Sequence, residues 1–208
     1  MNSGWQPADC LLRTGPAPTG WGEAWFTKDG RYRWRLRRTW PQAPAMGEGE
    51  TEERHAVFVM CNPSDATATR DDATLRRCVG FAKAWGMWGA DLVNLSPKVA
   101  HRPKVMLDEL ASHNGTWPPP WQDDNARVWL AACAGLGATL RPLVVLAWGG
   151  IGSNPLVADL AGQVLDRLAL EGIPWYQLGR TAKGEPVHPL YLRNDTPLLD
   201  QHGDRWPF

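Results

Sequence analysis

Apolar positions along the chain follow two different periods. In "AWFTKDGRYRWRLRRTW", residues 24–40, they alternate: Tyr32, Trp34 and Leu36 fall on one side, Arg31, Arg33, Arg35 and Arg37 on the other, with Arg38 adjacent. That is the period of a strand whose side chains point to opposite faces. Lys28-Asp29-Gly30 breaks the pattern with turn chemistry, which predicts a β-hairpin over 24–40. From His55 onward the alternation gives way to short, continuously apolar runs, "AVFVMC", "ADLVNLSP", "PLVVLAWGG" and "IPWYQLG". Runs of this kind suit strands buried on both faces of a parallel sheet. Between them lie stretches of helical period. "DDATLRRCVGFAKAWG" opens on aspartates, places Leu75, Val79, Phe81, Ala82 and Trp85 at helical spacing and stops at Gly86. "DDNARVWLAACAGLG" and "NPLVADLAGQVLDRLALEG" behave alike.

Strands alternating with helices predict an α/β chain: a three-layer α/β/α sandwich around a mainly parallel, four-stranded central sheet, preceded by the N-terminal hairpin. Residues 1–22, rich in Gly, Pro and Trp, are predicted to be irregular. Residues 23–208 then form one domain, with the hairpin at 24–40, a polar linker at 41–54 and the core at 55–195.

In such sheets ligands bind outside the carboxyl ends of the strands. Those ends read Asn62-Pro63-Ser64-Asp65, Asn94-Leu95-Ser96-Pro97 and Trp148-Gly149-Gly150, and the last strand leads to a loop carrying His188-Pro189-Leu190-Tyr191. Asn62 and Asp65 are candidates to orient or activate a water, or else to cap a turn. Asn94 offers both a donor and an acceptor for a planar amide edge, or else turns the chain. His188, held by a following proline, is a candidate donor to a developing anion. Asp71 and Asp72 read first as helix-start residues. With Asp65 they are alternatively a divalent-metal set.

Composition narrows the picture. The 208 residues carry 22 Lys plus Arg and 22 Asp plus Glu. A zero net charge removes the simplest argument for nucleic acid but leaves room for a local basic face. The Arg31–Arg38 strip reads either as the solvated face of an edge strand or as a phosphate-contacting strip. Most of the 13 tryptophans are expected in the core, with a few available for stacking on bases. Cys10, Cys61, Cys78 and Cys133 form no Cys-x-x-Cys pair, so a structural zinc is not expected. There is no leader pattern and no run of membrane-span length, which suggests a soluble, cytoplasmic protein. No dinucleotide fingerprint, P-loop, nucleophile elbow or zinc-protease helix is present.

"RYRWRLRRTW", "VFVMCNPSDATATRDDATLRRCVGFAKAWG", "DLVNLSP", "VVLAWGG" and "LGRTAKGEPVHPLYLR" together resemble the DUF1643 family, from about Arg31 to Arg193. That name implies no activity. The order of parts is also similar, more distantly, to the uracil-DNA glycosylase superfamily. This second resemblance implies a four-stranded parallel α/β/α sheet, an Asn or Asp after the first core strand that positions water, a base-pairing Asn on a later strand, and a C-terminal His-Pro loop. Asn62, Asn94 and His188-Pro189 match those places. Leu190-Tyr191 departs from the small Ser that usually follows His-Pro, and Asp71-Asp72 has no counterpart.

The expectation is therefore a monofunctional DNA glycosylase that needs no cofactor or metal. It acts as a monomer, away from membranes, on a flipped-out modified pyrimidine in DNA. Asn62, Asp65 and His188 are its catalytic candidates. Ser64, Asn94 and Tyr191 are its base-binding candidates, and Arg33, Arg35, Arg37, Arg76 and Arg77 are its candidates for the DNA backbone. Small Ser64 and Ala66 beside the first motif suggest a roomy pocket. A hypermodified base such as glucosylated hydroxymethylcytosine of phage DNA would fit it, which implies a role in antiphage defence. The alternatives are a non-catalytic module binding a modified base or nucleotide, a metal-dependent nuclease or phosphohydrolase using Asp65, Asp71 and Asp72, and an enzyme acting on free nucleosides or nucleotides.

Overall fold

A computed structural model describes residues 9–41, 54–115, 121–135 and 142–206. Among these residues eight strands form one mixed sheet: β1 (Cys10–Ala17), β2 (Gly20–Thr27), β3 (Arg33–Thr39), β4 (His55–Met60), β5 (Gly89–Asn94), β6 (Leu143–Leu146), β7 (Trp175–Gln177) and β8 (Leu199–Asp200). Their order across the sheet is β1-β2-β3-β5-β4-β6-β7-β8. The central β5-β4-β6-β7 block is parallel, and β1, β2, β3 and β8 add to it in antiparallel fashion. The expectation of a four-stranded, mainly parallel sheet is thus corrected to eight strands of mixed direction. The predicted hairpin is present as β2 and β3, but it joins the main sheet through β5. Much of the segment expected to be irregular is strand, because β1 pairs with β2 along its whole length. Nearly all of the linker at 41–54 lies outside the described residues.

Among the described residues four α-helices cover the sheet: α1 (Ala73–Ala84), α2 (Pro103–Ser112), α3 (Trp121–Ala134) and α4 (Pro155–Leu170). The short α2 was not among the helices expected from the sequence. On one face, Leu75, Cys78, Val79, Phe81 and Ala82 of α1 pack on Ala56, Phe58 and Met60 of β4 and Ala90 and Leu92 of β5. Trp85 stacks on Phe58 and Phe81 with ring centroids 5.9 and 5.5 Å apart, each contact adding about 0.5–1.5 kcal/mol beyond burial. On the other face, α2, α3 and α4 bury Val57, Val59, Val93, Val144 and Leu146. Every central strand is therefore covered on both sides, which is why these strands read as unbroken apolar runs.

The chain leaves β4 toward α1 on one face and leaves β6 toward α4 on the other. Beside β4 the strand order reverses, since β5 lies on one side and β6 on the other. A crevice between the carboxyl ends of β4 and β6 follows from that reversal. The loops carrying Asn62 and Gly149 leave from these two ends.

Candidate functional site

The loop from Cys61 to Asp72 is held down by arginines. Arg38, fully buried, donates from Nη2 to the carbonyls of Thr67 (2.6 Å) and Arg70 (3.3 Å) and pairs with Asp71 at 2.8 Å. Gly22 lets the loop approach β2, because a Cβ there would lie 1.8 Å from the Ala68 carbonyl oxygen. Asp72 caps α1 by accepting from the Leu75 N–H at 2.7 Å, a contact worth about 1 kcal/mol.

Asn62 donates from Nδ2 to the carbonyls of Ala100 (2.8 Å) and Pro63 (3.0 Å). Two acceptors fix which end of the amide is nitrogen. Its Oδ1 is the end left for a ligand or water. Asn94, 1% exposed at the tip of β5, has a buried Nδ2 with no partner among the described residues. Alternation along β5 puts Asn94 on the α1 face with Leu92. Its backbone carbonyl accepts from Asn125 Nδ2 at 3.0 Å.

His188 rests against the other side of the crevice. Its loop is tied down by the Gly149 N–H, which donates to the Pro186 carbonyl at 2.9 Å, and by Trp148 Nε1, which donates to Glu185 at 2.8 Å. The turn Pro189–Tyr191 packs on α1. His188 Nδ1 accepts from the Leu190 N–H at 3.3 Å, which leaves the proton of the neutral ring on Nε2. Burial lowers the imidazole pKa, with the nearby Asp72 carboxylate opposing it.

Gly149 is a residue the sequence marked only as part of a glycine pair. Its backbone sits at φ 79°, ψ −174°, a region open essentially to glycine alone. A Cβ there would lie 3.0 Å from the His188 Cβ. Gly149→Ala is expected to cost about 1–3 kcal/mol and to push His188 out of place. A thermal melt together with the imidazole chemical shifts checks this.

Other candidates fall elsewhere. Asp65 is exposed and pairs with His101 at 3.1 Å, so its carboxylate is engaged at the outer rim. Tyr191 is 90% exposed and stands on the surface. Ser64 is half-buried, while Ala66 is packed into the core. The metal alternative loses its set, because Asp65, Asp71 and Asp72 each have a different protein partner. Among the described residues, no three His, Cys, Asp or Glu side chains are grouped to hold a metal.

The arginine strip is also corrected. A β-bulge opposite Trp25 and Phe26 pairs Arg33 with Phe26 and Arg35 with Trp25. The bulge breaks the alternation, so Arg33 shares a face with Leu36 while Arg35 lies on the other. Arg35 and Arg37 both bind buried Asp91, through Nε contacts of 2.8 and 2.9 Å. Arg33 is 3% exposed and donates to the Ala66 carbonyl at 2.8 Å. These three guanidiniums are turned inward and form neither a solvated face nor an exposed phosphate strip. Arg76, exposed, donates to the Asp71 carbonyl, and Arg77 donates to Asn194 Oδ1.

A groove of about 450 Å³ opens on the opposite face between α3 and α4, bordered by Leu95, Asn125, Trp129, Leu160 and Arg167. None of the candidate residues lines it. The carboxyl ends of the strands are the better candidate, because Asn62 and the unpartnered Nδ2 of Asn94 stand there and the loop carrying His188 is tied to Gly149 beside them. No helix among the described residues is long and apolar enough to cross a membrane.

No curated protein and no solved structure matches the chain. A family model described as "Protein of unknown function (DUF1643)" matches residues 33–190, from Arg33 on β3 to the turn that follows His188. The chain therefore belongs to the DUF1643 family.

Proposed function

We propose that the protein is a monofunctional DNA glycosylase that hydrolyses the N-glycosidic bond of a flipped-out, modified pyrimidine. The observation that carries this reading is the buried, unpartnered Nδ2 of Asn94 at the carboxyl edge of the sheet. Such a donor costs stability unless a ligand acceptor completes it, and a pyrimidine carbonyl is an acceptor of the right kind. Asn62 supports the reading, since its free Oδ1 accepts from a water and aims that water's lone pair at the sugar carbon. A neutral amide orients water without taking its proton. His188 supplies a neutral Nε2–H for the oxygen on which negative charge develops, a role that needs no proton transfer.

The reaction balances with these groups alone. The C1′–N bond breaks and its electron pair leaves with the base. The water oxygen bonds C1′, and the water proton ends on the departing base. The small side chain of half-buried Ser64 beside the first motif supports a site that accepts a substituted pyrimidine ring. A hypermodified phage base, and hence a role in defence, is the substrate class this favours.

The test is mass spectrometry of what purified protein releases from duplexes carrying modified pyrimidines. The free base is the expected product. Release of a nucleoside or nucleotide, or tight binding with nothing released, overturns the reading.

A pH profile follows from His188. Its folded pKa lies below the usual 6.5, so at that pH the ring is charged less often than a free imidazole. The rate is expected to be flat through neutrality and to fall only at a pH below 6.5. The fold itself loses stability as pH drops through the unfolded value, because protonation then favours the open chain. Rate–pH curves and melts across that range check both.

A further inference from the structure

Two arginines of β3 are buried on the same face, and they are treated differently. Arg38 has its carboxylate, Asp71, at 2.8 Å, with both side chains fully buried. Arg33 is 3% exposed and has no carboxylate within ion-pair range among the described residues. Among the described residues its one side-chain hydrogen bond goes to the Ala66 carbonyl, and its buried Nε has no partner. The nearby Asp72 carboxylate, which accepts from the Leu75 N–H, offsets part of the Arg33 charge from beyond ion-pair range. Burial lowers the Arg33 pKa to about 10, which still leaves a cation at neutral pH. A buried cation with no carboxylate in contact and an unmade Nε–H bond is expensive, and a loop staple alone does not require it, since Arg38 already holds that loop with a carboxylate in contact.

Arg33 is also placed to meet a ligand. Its N–H donates to the Pro97 carbonyl just beyond the tip of β5, and the side chain points to the α1 face that carries Asn94. The Asp72 carboxylate acts electrostatically on both Arg33 and His188.

We propose that Arg33 and the Nδ2 of Asn94 form an anion seat at the carboxyl edge of the sheet, built for the negatively charged oxygen of an ionised pyrimidine. The identity of that anion as the departing base rests on the glycosylase reading. The seat itself rests on two buried donors, Arg33 Nε and Asn94 Nδ2, that lack partners among the described residues. As the C1′–N bond breaks, the electron pair delocalises onto the ring oxygen, which Arg33 and Asn94 then hold while His188 donates beside it. The leaving group thus supplies the acceptor that Arg33 Nε lacks.

Barbiturate, an anionic pyrimidine at neutral pH, is the probe, with neutral uracil as the control. Wild-type protein is expected to gain thermal stability from barbiturate and far less from uracil. Equal response to both overturns the seat. Arg33→Met keeps the aliphatic stem and is expected to lose the barbiturate response and 10²–10³-fold in kcat, with little change in KM. A folded Arg33→Met protein that keeps either one overturns the proposal. If that variant does not fold, Arg33→Lys takes its place, retaining the charge but not the planar fork. It is expected to keep part of the barbiturate shift and to lower kcat at least tenfold. A barbiturate response without base release leaves the seat standing and removes the glycosylase reading.

Discussion

Asp91→Ala is expected to destabilise the protein by about 3–5 kcal/mol, a large share of the roughly 5–15 kcal/mol that holds a domain of this size. Asp91 is 1% exposed and lies at the junction of three strands, opposite Arg37 on β3 and Val57 on β4. It accepts from Arg35 at 2.8 Å through both oxygens, from Arg37 at 2.9 and 3.3 Å, and meets His55 at 3.4 Å. Removing it leaves two guanidiniums under α3 without their shared anion. Burial pushes the Asp91 carboxyl pKa up, but Arg35 and Arg37 outweigh it and hold it well below the usual range. The linkage follows from that sign. The stabilisation is fully present above the unfolded aspartate pKa of about 3.9 and is lost as pH falls below it toward the folded value. Urea melts at neutral pH and at about pH 3 should show wild type and Asp91→Ala far apart in the first and closer in the second. Equal stability at neutral pH would mean that the β3–β5 junction does not depend on this ion cluster.

His188→Ala and Asn62→Ala are each expected to reduce base release by about 10²–10³-fold while costing only about 1–2 kcal/mol in stability. His188 gives up one weak backbone contact, and Asn62 gives up two carbonyl contacts. Asn62→Asp separates the roles more sharply. A carboxylate there would face the carbonyl oxygens of Ala100 and Pro63, so it is expected to be less stable than Asn62→Ala and no more active. An active Asn62→Asp protein would instead show that position 62 takes the proton from water. Single-turnover base release together with thermal melts reads both effects.

Much of this was legible in the sequence, where local pattern and tertiary environment agree. "AVFVMC" and "DLVN" are strands because both faces are buried, and Asp72 caps α1 where the helix-start pattern placed a cap. The strand ends drew attention to Asn62, Asn94 and His188, and all three lie at the carboxyl edge of the sheet. The failures came where tertiary structure overrode local period. A bulge in β3 reassigns the faces of the arginines, and no alternation rule reveals a bulge in advance. Asp91 lies 54 residues beyond Arg37, so the pairing that turns a basic strip inward is invisible locally. Cys10–Ala17 becomes a strand because β2 offers it a partner, not because of its own turn-rich composition. The seat of His188 on Gly149 depends on a contact between distant loops, and only the glycine pair hinted at it.

The central claim is base excision, and the direct measurement is the formation of abasic sites. Purified protein in chelator would be incubated with duplexes carrying uracil, hydroxymethyluracil, hydroxymethylcytosine or glucosylated hydroxymethylcytosine. Each product would then be treated with alkali. Strand breaks are expected only after alkali, on a modified pyrimidine, and not with His188→Ala. Intact strands on every substrate, or breaks that form without alkali and only when a divalent metal is restored, would contradict base excision.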